Sequence, residues 1–162
     1  MVCTLVIPLR QIKPPKRYIE EYGFIFPSSS FYFPRYITNV KIIEPRGDLP
    51  LIRAVVDTGA SISVLNVPQL AALAPDTLPI PLYGIHPDPE SRVNADLFPV
   101  TLQIQDEMGN QTPPLRASVA VTDNTGLPNI LGMLDLLERF EIRTDPVQKT
   151  LLLTLKQDTS NI

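Results

Sequence analysis

The chain of 162 residues has one cysteine, one histidine and no tryptophan. With Cys3 alone, no intrachain disulfide can form, and a reducing, cytoplasmic setting is the expectation. With His86 alone, one copy can build neither a Ser-His-Asp triad nor a Cys/His zinc site, so no metal and no other cofactor is expected. Clusters of one charge are scarce too: 14 basic and 17 acidic residues leave a net charge of −3. The nearest to a basic cluster, Lys13-Pro14-Pro15-Lys16-Arg17, reads as a solvated, proline-stiffened linker rather than a phosphate site, and no nucleic-acid partner is expected. The apolar start, Met1-Val2-Cys3-Thr4-Leu5-Val6-Ile7-Pro8, is too short to cross a bilayer and lacks the charged beginning of a signal peptide. It reads as a strand, and no membrane partner is expected.

Proline, by contrast, is abundant. Eighteen prolines cut the chain into short pieces that favour strands over helices, and a 44% hydrophobic content over this length supports one core. Residues 36–44 read as a strand, 45–50 as a turn and 51–56 as a second strand. Residues 67–74 suit a short helix with Pro68 in its first turn. Residues 78–98 read as a hairpin, with Ile80, Leu82 and Ile85 on one arm, a tip near His86-Pro87-Asp88-Pro89-Glu90, and residues 93–98 returning. Two strictly alternating runs, 100–104 and 117–121, are half-buried antiparallel strands with a turn at Met108-Gly109-Asn110. Residues 134–140 suit a short helix, 141–143 a strand and 151–155 a last strand.

The chemistry concentrates in Ala54-Val55-Val56-Asp57-Thr58-Gly59-Ala60-Ser61, an apolar run that ends in a carboxylate and a small, hydroxyl-rich turn. An acid at the edge of a core has its protonation set by desolvation and hydrogen bonds, as a general acid or base requires. The other reading of these residues is a solvated turn in which Thr58 and Ser61 bond the local backbone. A second motif, Asn129-Ile130-Leu131-Gly132, lies 132 − 57 = 75 residues downstream and runs on into Met133-Leu134-Asp135-Leu136-Leu137-Glu138-Arg139-Phe140.

Together the two motifs resemble the paired signatures of the retropepsin-like aspartic peptidases, over about three quarters of the chain, residues 36–155. The resemblance implies an all-β fold, a closed antiparallel β-barrel forming one acid-protease lobe with one or two short helices. Residues 36–162 would be that domain, and residues 1–35, rich in Phe24, Phe26, Phe31, Tyr32 and Phe33, an N-terminal extension packed on it. Only one Asp-Thr-Gly is present, so the second carboxylate must come from a second copy of the chain.

On this resemblance Asp57 is the catalytic residue, supported by Thr58, Gly59, Ala60, Ser61 and Gly132. Gly59, Leu82, Gly84, Ile85 and Ile130 would meet a protein or peptide substrate, and the hairpin over residues 78–98 would be the flap that closes on it. An ordinary exposed hairpin is the alternative. Ala60 has no hydroxyl to offer the carboxylate, which implies activity reaching weakly acidic or neutral pH; a rate confined to strongly acidic pH would contradict this. Retroviral members follow the second-motif glycine with an arginine that helps tie the dimer, whereas here Met133 and Leu134 stand there and Asp135 comes one place later. Leu151-Leu152-Leu153 is then a candidate dimer contact or a plain core strand. Three function classes remain: a homodimeric aspartic endopeptidase, a catalytically silent peptide-binding or dimerisation module of the same fold, and an unrelated barrel in which Asp57 only makes a turn.

Overall fold

The computed structural model describes residues 2–12, 33–73, 80–82, 93–122 and 128–157. The hairpin tip, the 13–17 basic run, and Phe24, Phe26, Phe31 and Tyr32 lie outside them. Among the described residues ten strands form, in chain order: β1 (Thr4–Ile12), β2 (Phe33–Glu44), β3 (Ile52–Val56), β4 (Val64–Asn66), β5 (Ile80–Leu82), β6 (Val93–Gln105), β7 (Leu115–Thr122), β8 (Ile130–Leu131), β9 (Phe140–Asp145) and β10 (Thr150–Leu155).

Period-two burial explains why these segments are strands. Leu5 and Ile7, Val40 and Ile42, Leu102 and Ile104, and Leu151 and Leu153 are fully or almost fully buried pairs two residues apart, each turning one face of its strand into a common core. The sheet order is β5-β6-β7-β4-β8-β3-β2-β1-β10-β9, and a further β6–β2 pairing closes β6, β7, β4, β8, β3 and β2 into a six-strand ring. Within the ring β3–β8 and β4–β7 are parallel and the other pairings antiparallel. The fold is thus all-β, a closed barrel of the retropepsin-like kind with almost no helix among the described residues.

Outside the ring, β1 divides its pairing. Its first half lies against β10 (Thr4↔Thr154 to Pro8↔Thr150), and its second half against β2 (Leu9↔Tyr36 to Ile12↔Phe33). β9 completes this side as the last strand in the order.

Both expected helices are shorter than the sequence suggests. The first is a single turn, α1 (Pro68–Ala71), in which only Leu70 is buried, too little apolar surface to hold a longer helix. The second is reduced to a 3₁₀ turn, Leu137–Arg139. Asp135 is the reason: its φ of 63° is left-handed and interrupts the helical path. That conformation is held by side-chain bonds, with Asp135 Oδ2 accepting the Ser118 N–H at 2.7 Å and Oδ1 accepting Arg139 Nη2 at 2.9 Å.

Candidate active site

Asp57 follows directly on β3, whose alternation buries Ile52, Ala54 and Val56 and so ends the strand at the rim of the core. The carboxylate is half-buried. Its Oδ1 accepts the Gly59 N–H at 2.9 Å, and the Asp57 carbonyl accepts the Ala60 N–H at 3.2 Å, closing a tight turn. A Cβ on Gly59 would stand 3.2 Å from Asp57 Oδ1, so glycine here keeps the carboxylate uncrowded. Thr58, Gly59 and Ser61 are exposed and Ala60 is half-buried.

The loop is clamped from beneath by the second motif. β8 enters between β3 and β4, parallel to β3 (Val55↔Ile130, Val56↔Leu131) and antiparallel to β4 (Val64↔Ile130). The Asp57 N–H donates to Leu131 O at 3.0 Å, Met133 N–H to Ala60 O at 2.9 Å, and Leu134 N–H to Ser61 O at 2.8 Å. Gly132 lies where the two motifs touch. A Cβ there would come within 2.6 Å of both the carbonyl carbon and the carbonyl oxygen of Ile62, so no other residue fits.

Two further residues, to which the sequence reading gives no individual role, fasten this crossing. Ser63, fully buried, accepts the Gly132 N–H on Oγ at 2.9 Å. Its sequence signal is a lone polar residue inside the apolar run Ile62-Ser63-Val64-Leu65. Asn129 acts at the entry to β8: Oδ1 accepts the Asn66 N–H at 2.7 Å, Nδ2 donates to Arg53 O at 3.1 Å, and its carbonyl accepts the Val55 N–H at 2.8 Å. One side chain therefore bridges β3 and β4 where two residues of β8 are too few to form a long ladder.

Of the apolar positions expected near substrate, Ile130 is half-buried and, with Ile62, packs on a small cluster of Val64, Ala95 and Ala120. That cluster joins β4, β6 and β7. Leu82 ends β5, paired with Val93 at the tipward end of the described ladder, as the arms read from the sequence require. Gly84, Ile85 and His86 lie outside the described residues. Leu151 and Leu153 face the core of their own chain, and β10 has β1 on one side and β9 on the other, so this segment is a core strand. A groove of about 310 Å³ with Leu51, Arg53, Gln69 and Asn129 in its wall is at the start of β3, the opposite end from Asp57. Among the described residues no three His, Cys, Asp or Glu side chains gather as a metal site would need.

Chemically, the arrangement offers one carboxylate on a backbone-bonded loop, with the exposed hydroxyl residues Thr58 and Ser61 close to it in the turn. No protein-family model and no curated protein matches the chain. Among solved structures, it is similar to the crystal structure of a retropepsin-like aspartic protease from Rickettsia conorii, with a TM-score of 0.50 and 18% identity over 96% of this chain and 92% of that one.

Proposed function

We propose that the chain is one half of an aspartic endopeptidase, active as a homodimer in which two copies of Asp57 share a single site. The observation that carries this reading is the clamped Asp57 loop on a retropepsin-like fold. Its carboxylate is fixed by the Gly59 N–H at 2.9 Å, and Gly132 lies so close beneath the loop that the two motifs act as one unit.

Two such carboxylates about 4 Å apart repel by roughly 4 kcal/mol at an effective dielectric of about 20, so the pair holds one proton between them. The ionised member takes a proton from a bound water, which attacks the scissile carbonyl carbon. The protonated member hydrogen-bonds the carbonyl oxygen and stabilises the tetrahedral intermediate. Transfer of a proton to the leaving nitrogen then completes hydrolysis without a covalent enzyme intermediate. Thr58 would bond across to the loop of the second copy, and the backbone of Gly59 would meet the substrate main chain. The substrate is a protein or peptide, with apolar residues flanking the cut to match Ile62 and Ile130.

The test is a peptide-library digest with wild type and Asp57→Asn, alongside a pepstatin-like inhibitor. Asparagine retains an oxygen for the Gly59 N–H, so stability should stay within about 0.5 kcal/mol of wild type, while cleavage falls by about a thousandfold or more. A folded, dimeric wild type that cuts nothing in the library would favour the silent peptide-binding module instead.

A further inference from the structure

The end of the barrel away from Asp57 is not fully sealed. In the main core Leu49, Ile52 and Val67 keep 8–9% of their surface, and every other residue keeps 7% or less. All three line the groove of about 310 Å³ at the start of β3. There the turn that leads into β3 and the segment that joins β4 to α1 stand apart, and the apolar interior reaches solvent between them. A cavity of this size in the mouth of a barrel, apolar within and carrying a few polar groups, has the form of a small-ligand site.

Charge decides which ligand suits it. Among the described residues lining the groove, Arg53 alone is charged. Alternation along β3, between buried Ile52 and Ala54, leaves Arg53 exposed. Its backbone is held on both flanks, by pairing with Asn39 of β2 and by the bond from Asn129 Nδ2 to its carbonyl at 3.1 Å. The guanidinium therefore starts from a fixed point in the wall. The acid next to Leu49 in the chain, Asp48, is engaged by Arg46 through bonds of 3.0 and 2.7 Å. A planar guanidinium beside an apolar floor matches a carboxylate borne directly on an apolar body. Gln69, in the wall contributed by α1, has a side-chain amide suited to a peptide group next to that carboxylate.

We propose that this groove binds the free C-terminus of a peptide that ends in an apolar residue, with the last side chain on Leu49, Ile52 and Val67 and the terminal carboxylate on Arg53. The site is separate from the Asp57 loop, because Arg53 precedes Asp57 by four residues, about 13 Å along an extended strand. The binding does not depend on the peptidase reading, but the two meet in their chemistry. Hydrolysis between apolar residues breaks the C–N bond, leaves a hydroxyl on the carbonyl carbon and a proton on the nitrogen, and so releases a chain with this apolar, carboxylate-bearing end.

The experiment is titration of the full chain with N-acetyl-leucine, followed by backbone amide NMR, for wild type, Arg53→Met, Arg53→Lys and Asp57→Asn. N-acetyl-leucinamide, which lacks the charge, and isocaproate, which lacks the peptide group, are titrated alongside. N-acetyl-leucine should shift the amides of Leu49, Arg53 and Gln69 with a dissociation constant of about 1 mM, and the leucinamide should bind about tenfold or more weakly. Arg53→Met should lose about tenfold or more for the acid and nothing for the amide, while Arg53→Lys, which keeps the charge without the planar fork, should fall between. Asp57→Asn should bind as wild type does, whether or not wild type cleaves peptides. Equal binding of acid and amide, or an Arg53→Met variant that binds the acid as wild type does, overturns the site. Shifts confined to residues 57–61 overturn it too, and leave the peptidase reading standing. Isocaproate that binds as tightly as N-acetyl-leucine overturns the peptide terminus in favour of a free small carboxylate.

Discussion

Gly132 and Ile62 approach so closely that a single added methyl group on the glycine would fall 2.6 Å from the Ile62 carbonyl. This contact ties the two sequence motifs into one unit, since Ile62 follows the Asp57 turn and Gly132 follows β8. Because both sides of the contact are backbone, neither can swing aside as a flexible side chain would.

Gly132→Ala should therefore destabilise the fold by about 2–3 kcal/mol or more and displace the Asp57 loop. Urea denaturation measures the first effect and peptide cleavage the second. A variant with wild-type stability would show that β8 can withdraw from Ile62.

Ser63→Ala removes the acceptor for the buried Gly132 N–H, at an expected loss of about 1–3 kcal/mol. Ser63→Thr keeps the hydroxyl and should recover most of that loss. Equal stability for the alanine and threonine variants would mean that the hydroxyl does not hold Gly132.

Acid should weaken the protein through Asp106. Burial pushes its carboxyl up, but the bonds it accepts from the Asn110 side chain and from the backbone N–H groups of Val6, Asn110 and Met108 outweigh this and hold it below the usual carboxylate range. A folded value below the unfolded one, about 3.9, gives stability that is present above that pH and is lost as pH falls through the folded value. Asp106→Asn should be less stable than wild type at neutral pH by about 1–3 kcal/mol, with a shallower decline below about pH 4. Denaturation midpoints between neutral and strongly acidic pH check both. The decline should not vanish, because the N–H of Ser118 and, against some burial, Arg139 also hold the Asp135 carboxyl low.

At Asp135 itself, side-chain bonds and backbone conformation can be separated. Asp135→Asn keeps an acceptor for Ser118 and tolerates the left-handed φ of 63°; Asp135→Ala loses both and should cost about 1 kcal/mol more than the asparagine variant. Thermal melts rank the two, and the reverse order would contradict the role assigned to the Ser118 bond.

Several strand positions were legible in the sequence, because a strand that buries alternate residues shows that period whatever its partners are: β3, β6, the first half of β7 and β10 fall where period-two runs place them. Asp57 and Gly132 were legible as motifs. Helix length was not, because Asp135 stops the second helix by bonding Ser118, seventeen residues earlier in the chain. Nor could local pattern reveal the roles of Ser63 and Asn129, whose partners lie 69 and 63 residues away. Such residues look ordinary until the chain folds, since their value lies in bonds between β3, β4 and β8 rather than in any local preference.

The divided pairing of β1 makes that strand a rivet between two parts of the sheet. Its nine residues fill the space between β10 and β2. Because the first half belongs to β10 and the second to β2, withdrawing β1 would bare the flanks of both strands in one event and uncover Leu5 and Ile7, both fully buried.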